Sequence, residues 1–408
     1  MKSNVFLLAM MMSGSLTASA QQGGYSLDFA IDCENFVDSI AIEWADGRVY
    51  VPVSVGGRAC RFLLDTGAGQ TVVYSDTPMA QCPRVGTIAS HDAVGRTTRV
   101  DMVQLPPMTV GQTTFIGCSA VVQQRVASRL NTDGIIGFDI VNKGLSMKID
   151  VQSRQLVLTD RKRYFDNEPG VMMRYKLNYH VPYIEVSPFD AFTERVLVDT
   201  GSRSFYSINK KQYDAGLKKR SGKRRLAGDL TEEGRSVGHY AMGYSGAEEN
   251  GEVVFLQLDN LKMGSQVFTN VHTLTTQGGS HLGAALLNYG MLTFMPRKKQ
   301  VLFQPYTLGD TCTVGNRQLE IAFVQDDGRP VVGLVWEQSE PYRQGFRQGD
   351  IIVKIDGREV NSFQQFMNWG YERGREYEFT VLGSDGQERQ LKWVRLKKRM
   401  INTDEQQS

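Results

Sequence analysis

The stretch R-F-L-L-D-T-G-A-G-Q-T-V-V at 61–73 has a second copy, V-L-V-D-T-G-S-R-S-F, at 196–205. Each copy is an apolar run ending on an acid, Asp65 or Asp199, and then Thr, Gly and a small residue. More matches follow in the same order. V-Q-L-P-P-M-T-V-G-Q-T-T-F at 103–115 aligns with L-Q-L-D-N-L-K-M-G-S-Q-V-F at 256–268. G-I-I-G-F-D-I-V-N-K-G at 134–144 aligns with S-H-L-G-A-A-L-L-N-Y-G at 280–290, and R-Q-L-V-L at 154–158 with K-Q-V-L-F at 299–303. Even V-P-V-S-V at 51–55 answers V-P-Y-I-E-V at 181–186. An ordered set of repeated motifs means one structural unit used twice.

Short Val, Ile, Leu, Phe and Thr runs broken by Gly-Gly, Pro-Pro, Val-Gly-Gln and Met-Gly-Ser turns make each unit β in character. One helix is expected around 209–219, where Lys, Gln, Ala and Leu dominate. The fold class expected is therefore mainly β. Two pseudo-symmetric lobes, 21–160 and 161–306, are joined through R-K-R-Y-F-D-N-E-P-G at 161–170.

If Asp65 and Asp199 end equivalent strands, the pseudo-twofold brings their carboxyls together. Two carboxylates within a few ångströms cannot both ionise cheaply, so such a pair shares one proton. The ionised member can take a proton from water while the protonated one bonds and then protonates a carbonyl. Gly67 and Gly201 permit close backbone approach, and Thr66 and Thr200 can hydrogen-bond across the boundary.

These residues resemble the active-site signatures of aspartic proteases. F-L-L-D-T-G-A is similar to the retroviral enzymes and V-L-V-D-T-G-S to the pepsins, over roughly 45–306. The resemblance implies β-barrel lobes, Asp65 and Asp199 as the catalytic dyad, and Thr66, Gly67, Ala68, Thr200, Gly201 and Ser202 as supporting loops. It implies that Ile135, Ile136 and Gly137, with Leu282 and Gly283, pack beneath those loops, His281 departing from the apolar pattern. It also implies a hairpin flap, at 89–99 in the first lobe or 238–251 in the second. A peptide or protein substrate follows, with no cofactor and no metal; no Cys/His spacing suggests zinc.

After Pro305 the pattern changes. Residues 307–315 read as a linker. Residues 316–396 resemble a PDZ domain: S-E-P-Y-R-Q-G-F-R-Q-G-D-I-I-V-K-I-D-G-R-E-V at 339–360, then a second helix at 362–371 and closing strands at 378–382 and 390–394. That resemblance implies an extended peptide ligand added as a strand. Its groove would lie between a strand at 319–324 and the second helix, lined by Leu319, Ile321, Phe323 and Phe366. A polar tail, 397–408, closes the chain.

The remaining features bound the setting. Met1 and Lys2, the apolar 5–16 and A-S-A at 18–20 form an export signal over 1–20. That apolar run is shorter than the ~20 residues of a membrane span. A periplasmic or secreted location is expected. The 46 basic and 44 acidic residues leave a net charge of +2, which argues against a nucleic-acid partner; the basic run K-K-R-S-G-K-R-R at 218–225 reads as solvated. Of five cysteines, Cys82 and Cys118 are the expected disulfide, and Cys60 reads as a strand residue. No serine-protease G-D-S-G or zinc-peptidase H-E-x-x-H motif occurs. The competing reading is a peptide-binding protein that keeps the protease-like fold, with a PDZ module, and cuts weakly or not at all.

Overall fold

The computed structural model describes residues 25–91, 97–125, 131–190, 192–221, 229–243, 246–315, 319–372 and 374–394. The expected export signal and polar tail, the end of the basic run, the tip of the expected 89–99 flap and residues 244–245 lie outside the described residues.

The molecule is mainly β, and one strand arrangement occurs twice. In the first half, Arg48–Val55 pairs antiparallel with Arg58–Leu64. Gly134–Ile136 then slots in beside it, parallel to Arg58–Leu64 and antiparallel to Val72–Tyr74. In the second half, Val181–Phe189 pairs antiparallel with Phe192–Asp199. His281–Gly283 runs parallel to Phe192–Asp199 and antiparallel to Tyr206–Asn209. In both halves the inserted strand is buried, so its residues are nearly continuously apolar instead of alternating.

The repeated hairpins keep their turn chemistry. Met108–Val110 turns into Thr113–Ile116 through Gly111 at φ +63°, and Gly251–Met263 turns into Gln266–Thr276 through Gly264, also at φ +63°. Both sites need the left-handed backbone that glycine adopts without steric cost. Among the described residues, the one long helix, Lys210–Ser221, follows the second copy of the acid loop.

The halves are not separate bodies, because they share a six-stranded sheet. Its order is Val171–Arg174, Gln300–Pro305, Gly290–Met295, Ser146–Asp150, Gln155–Thr159 and Val37–Ala41. The seam is the antiparallel pair of Ser146–Asp150 with Gly290–Met295, where Met147 faces Phe294. One apolar core runs through both halves, including Ile136, Phe138, Val198, Leu282 and Phe294.

The C-terminal part has its own sheet, ordered Ile321–Asp326, Arg329–Val335, Ile351–Ile355, Glu376–Leu382 and Glu388–Val394. Its two short helices are Glu340–Arg343 and Phe363–Met367, and Phe346, Phe366 and Phe379 fill its core.

Several expectations are corrected. The 307–315 segment is not all linker: Thr311–Gly315 is a strand parallel to Gln266–Thr276, with Cys312 buried opposite Phe268. The second C-terminal helix is shorter than 362–371. Ser362 caps it by accepting from Gln365 N at 3.1 Å, and it ends at Met367, before Gly370 at φ +72°. All five cysteines are free thiols; Cys118 is buried in the core, and no Cys82–Cys118 bond forms. Leu319 precedes the strand that begins at Ile321, and it packs away from the expected groove, against Val253, Phe255, Ala322 and Leu334.

Candidate active site

Asp65 follows Arg58–Leu64 directly, and Asp199 is the last residue of Phe192–Asp199. Each acid is turned back onto its own loop. Gly67 N donates to Asp65 Oδ1 at 2.9 Å, and Gly201 N and Ser202 N donate to Asp199 Oδ1 at 2.9 and 3.1 Å. Both carboxylates therefore have fixed directions.

The loops are tied to each other symmetrically. Thr66 N donates to Thr200 Oγ1 at 3.0 Å, and Thr200 N to Thr66 Oγ1 at 3.1 Å. Each hydroxyl then donates into the opposite half: Thr66 Oγ1 to Val198 O at 2.6 Å, Thr200 Oγ1 to Leu64 O at 2.8 Å. Both threonines are almost wholly buried, so these four bonds are shielded from competing water.

This lock brings each acid against the other half's glycine. A Cβ placed on Gly67 would lie 2.7 Å from Asp199 Cγ, and one on Gly201 would overlap the Asp65 carboxylate. Only glycine permits that approach. Asp65 and Asp199, 134 residues apart, are thus each packed against the opposite half's acid loop.

The supporting strands repeat the symmetry. Ile135, Ile136 and Leu282 are buried. Gly137 lies under the first loop, where a Cβ would come within 2.5 Å of the Gln70 backbone, and Phe138 N donates to Ala68 O at 2.7 Å. Gly283 lies under the second, where a Cβ would overlap Ser204 O, and Ala284 N donates to Ser202 O at 2.8 Å. His281 replaces an apolar residue yet serves the same loop. Its Nδ1 donates to Gly279 O at 3.1 Å, leaving Nε2 to accept from Ser202 and Ser204 hydroxyls at 3.0 Å each. Burial lowers its pKa and keeps the ring neutral.

Two positioning residues escaped the sequence reading. Asp139 accepts from Thr71 N at 2.8 Å and Thr71 Oγ1 at 3.1 Å, bracing the strand after the first acid loop; burial pushes its pKa up to about 6. Its signal was an acid inside an otherwise apolar repeat, facing Ala285 in the second copy. Arg48, also buried, donates from Nε to Gly201 O at 3.3 Å, linking the first half to the second acid loop. No sequence pattern announces that contact. Among the described residues, no group of three or more His, Cys, Asp and Glu is placed to hold a metal ion.

Within the second acid strand, Glu194 is buried and accepts from the Tyr206 hydroxyl and from Ser280 Oγ, the latter at 2.7 Å. Desolvation outweighs both bonds and raises its pKa from 4.5 to about 7. The folded state then holds this proton more tightly than the unfolded state. Stability from this group is full below about pH 4.5 and falls as pH rises to about 7, by roughly 3 kcal/mol. Glu194→Gln should remove about 3 kcal/mol from the loss of unfolding free energy between pH 4 and 8, read by urea titration. An unchanged pH slope would show that Glu194 is ionised throughout.

The fold is mainly β and aspartic-protease-like. A family model described as aspartyl protease matches residues 51–140, the stretch containing Asp65 and the Ile135-Ile136-Gly137 strand. No curated protein matches the chain.

Proposed function

We propose that the protein is an exported aspartic-type endopeptidase, with Asp65 and Asp199 as its catalytic dyad. The observation that supports this reading is the crossed threonine lock, which brings each acid against the other half's acid loop. The ionised acid takes a proton from a water between them as the water oxygen attacks the scissile carbonyl carbon. The protonated acid donates to the carbonyl oxygen. Collapse of the gem-diol returns one hydroxyl proton to the acid that donated to the carbonyl oxygen and expels the amine, which takes its proton from the acid that received one from water. No covalent intermediate forms.

The C-terminal part, 316–396, is in this reading a PDZ module. Support comes from its sheet edge, Ile321–Asp326, lying beside the helix Phe363–Met367, with Phe323 and Phe366 ring centroids 4.8 Å apart. That edge could accept an extended peptide by strand addition.

The test is incubation of purified protein with a mixed peptide library from pH 3 to 7. Cleavage at the acidic side, stopped by a statine-type inhibitor, is the expected result. Peptide binding without cleavage at any pH would favour the binding-protein reading instead.

A further inference from the structure

Two long hairpins stand at corresponding places in the halves, Arg84–His91 with Thr97–Gln104 and Leu230–Gly238 with Gly251–Met263. Their surroundings differ. Arg84, Val85, Ala89 and Thr97 through Arg99 of the first are exposed. Beyond pairing with each other, its strands pair only with Ser119–Gln123 among the described residues.

The second hairpin is covered by the C-terminal part. Ser236 Oγ donates to Val335 O at 2.9 Å, and His239 N donates to Gly333 O at 2.9 Å. Phe255 stacks on Trp336, with centroids 5.6 Å apart and ring planes 26° apart. Val253 and Phe255 from the hairpin, and Ala322 and Leu334 from the C-terminal sheet, form one buried cluster. The backbones meet at paired glycines. A Cβ on Gly238 would overlap Gly333 O, and one on Gly333 would lie 2.5 Å from His239 O. The turn is held from its other side as well. The buried Glu248 carboxylate accepts from Tyr240 N and Ala241 N, both at 3.1 Å, from Thr276 Oγ1 at 2.6 Å and from Gln277 N at 2.9 Å.

We infer that the C-terminal module is a brace that locks the second hairpin onto its half, so that the second hairpin is held more rigidly relative to the acids than the described strands of the first. For the proposed peptidase, on which this consequence rests, the cleft is mechanically lopsided although the catalytic loops are symmetric. A displacement of the module is passed to the second hairpin and not to the first.

Hydrogen exchange on the full chain tests the brace without requiring activity. In the parent, amides of 230–238 and 251–263 should be protected well beyond those of 84–90 and 97–104. Gly238→Val acts from the hairpin side, and Trp336→Ala from the module side. Each should speed exchange at 230–238 by about tenfold or more, the effect of losing a buried hydrogen bond. Exchange at 58–64, 97–104 and 376–382 should not change. Unchanged exchange at 230–238 in Gly238→Val overturns the brace, as does a parent in which both hairpins exchange alike. Absence of peptide cleavage in the parent would count against the peptidase reading and leave the exchange result standing.

Discussion

Asp65→Asn and Asp199→Asn are each expected to lower kcat/KM on a cleaved peptide by about 10³-fold or more, the scale of losing a general acid–base group. The fold should survive both changes. An Asn side-chain oxygen can still accept from Gly67 N or Gly201 N, and the threonine lock involves neither acid. In the proposed mechanism, the neutral amide removes a carboxylate that must hold or release a proton. Kinetics should be read with the melting temperature, which should stay at the parent value. A single mutant that cuts at the parent rate removes the dyad.

Phe294→Ala is expected to cost about 3–5 kcal/mol, the range for emptying a fully buried aromatic site. Phe294 is wholly buried at the seam, 5.2 Å from the Phe138 ring and 6.4 Å from Tyr175 by centroid. Phe138 follows Gly137 and donates its N–H to Ala68 O in the first acid loop. The cavity would therefore open against Phe138, whose backbone is bonded to the first acid loop, and activity should fall with the urea midpoint. Met172→Ala, on the exposed edge strand of the same sheet, should shift stability by only about 0.5 kcal/mol. Equal costs at both positions would mean that the seam is no more tightly packed than the edge.

The pH behaviour adds to this picture. Glu194 lies on the strand ending at Asp199 and Asp139 braces Thr71 after the first acid loop, and burial raises the pKa of both. Both favour the folded state more in mildly acidic solution, where a shared proton on a carboxylate pair is also useful.

Much of this was legible in the chain because it is written locally and twice. The D-T-G loops, the turns at Gly111 and Gly264, and the small-residue positions Gly137 and Gly283 each follow from a backbone that a neighbouring segment must approach closely. Strand periods told which faces are apolar. They did not tell what each face meets. Leu319 looked like groove lining but covers Val253 and Phe255, and the 307–315 segment supplies an added strand. Arg48 reaching Gly201, Asp139 holding Thr71, and the C-terminal sheet resting on the second hairpin join residues far apart in sequence. An apolar face can be satisfied by any apolar surface of matching shape, so only the three-dimensional arrangement decides which one covers it. A repeated loop, by contrast, carries its own geometric demands wherever the chain places it.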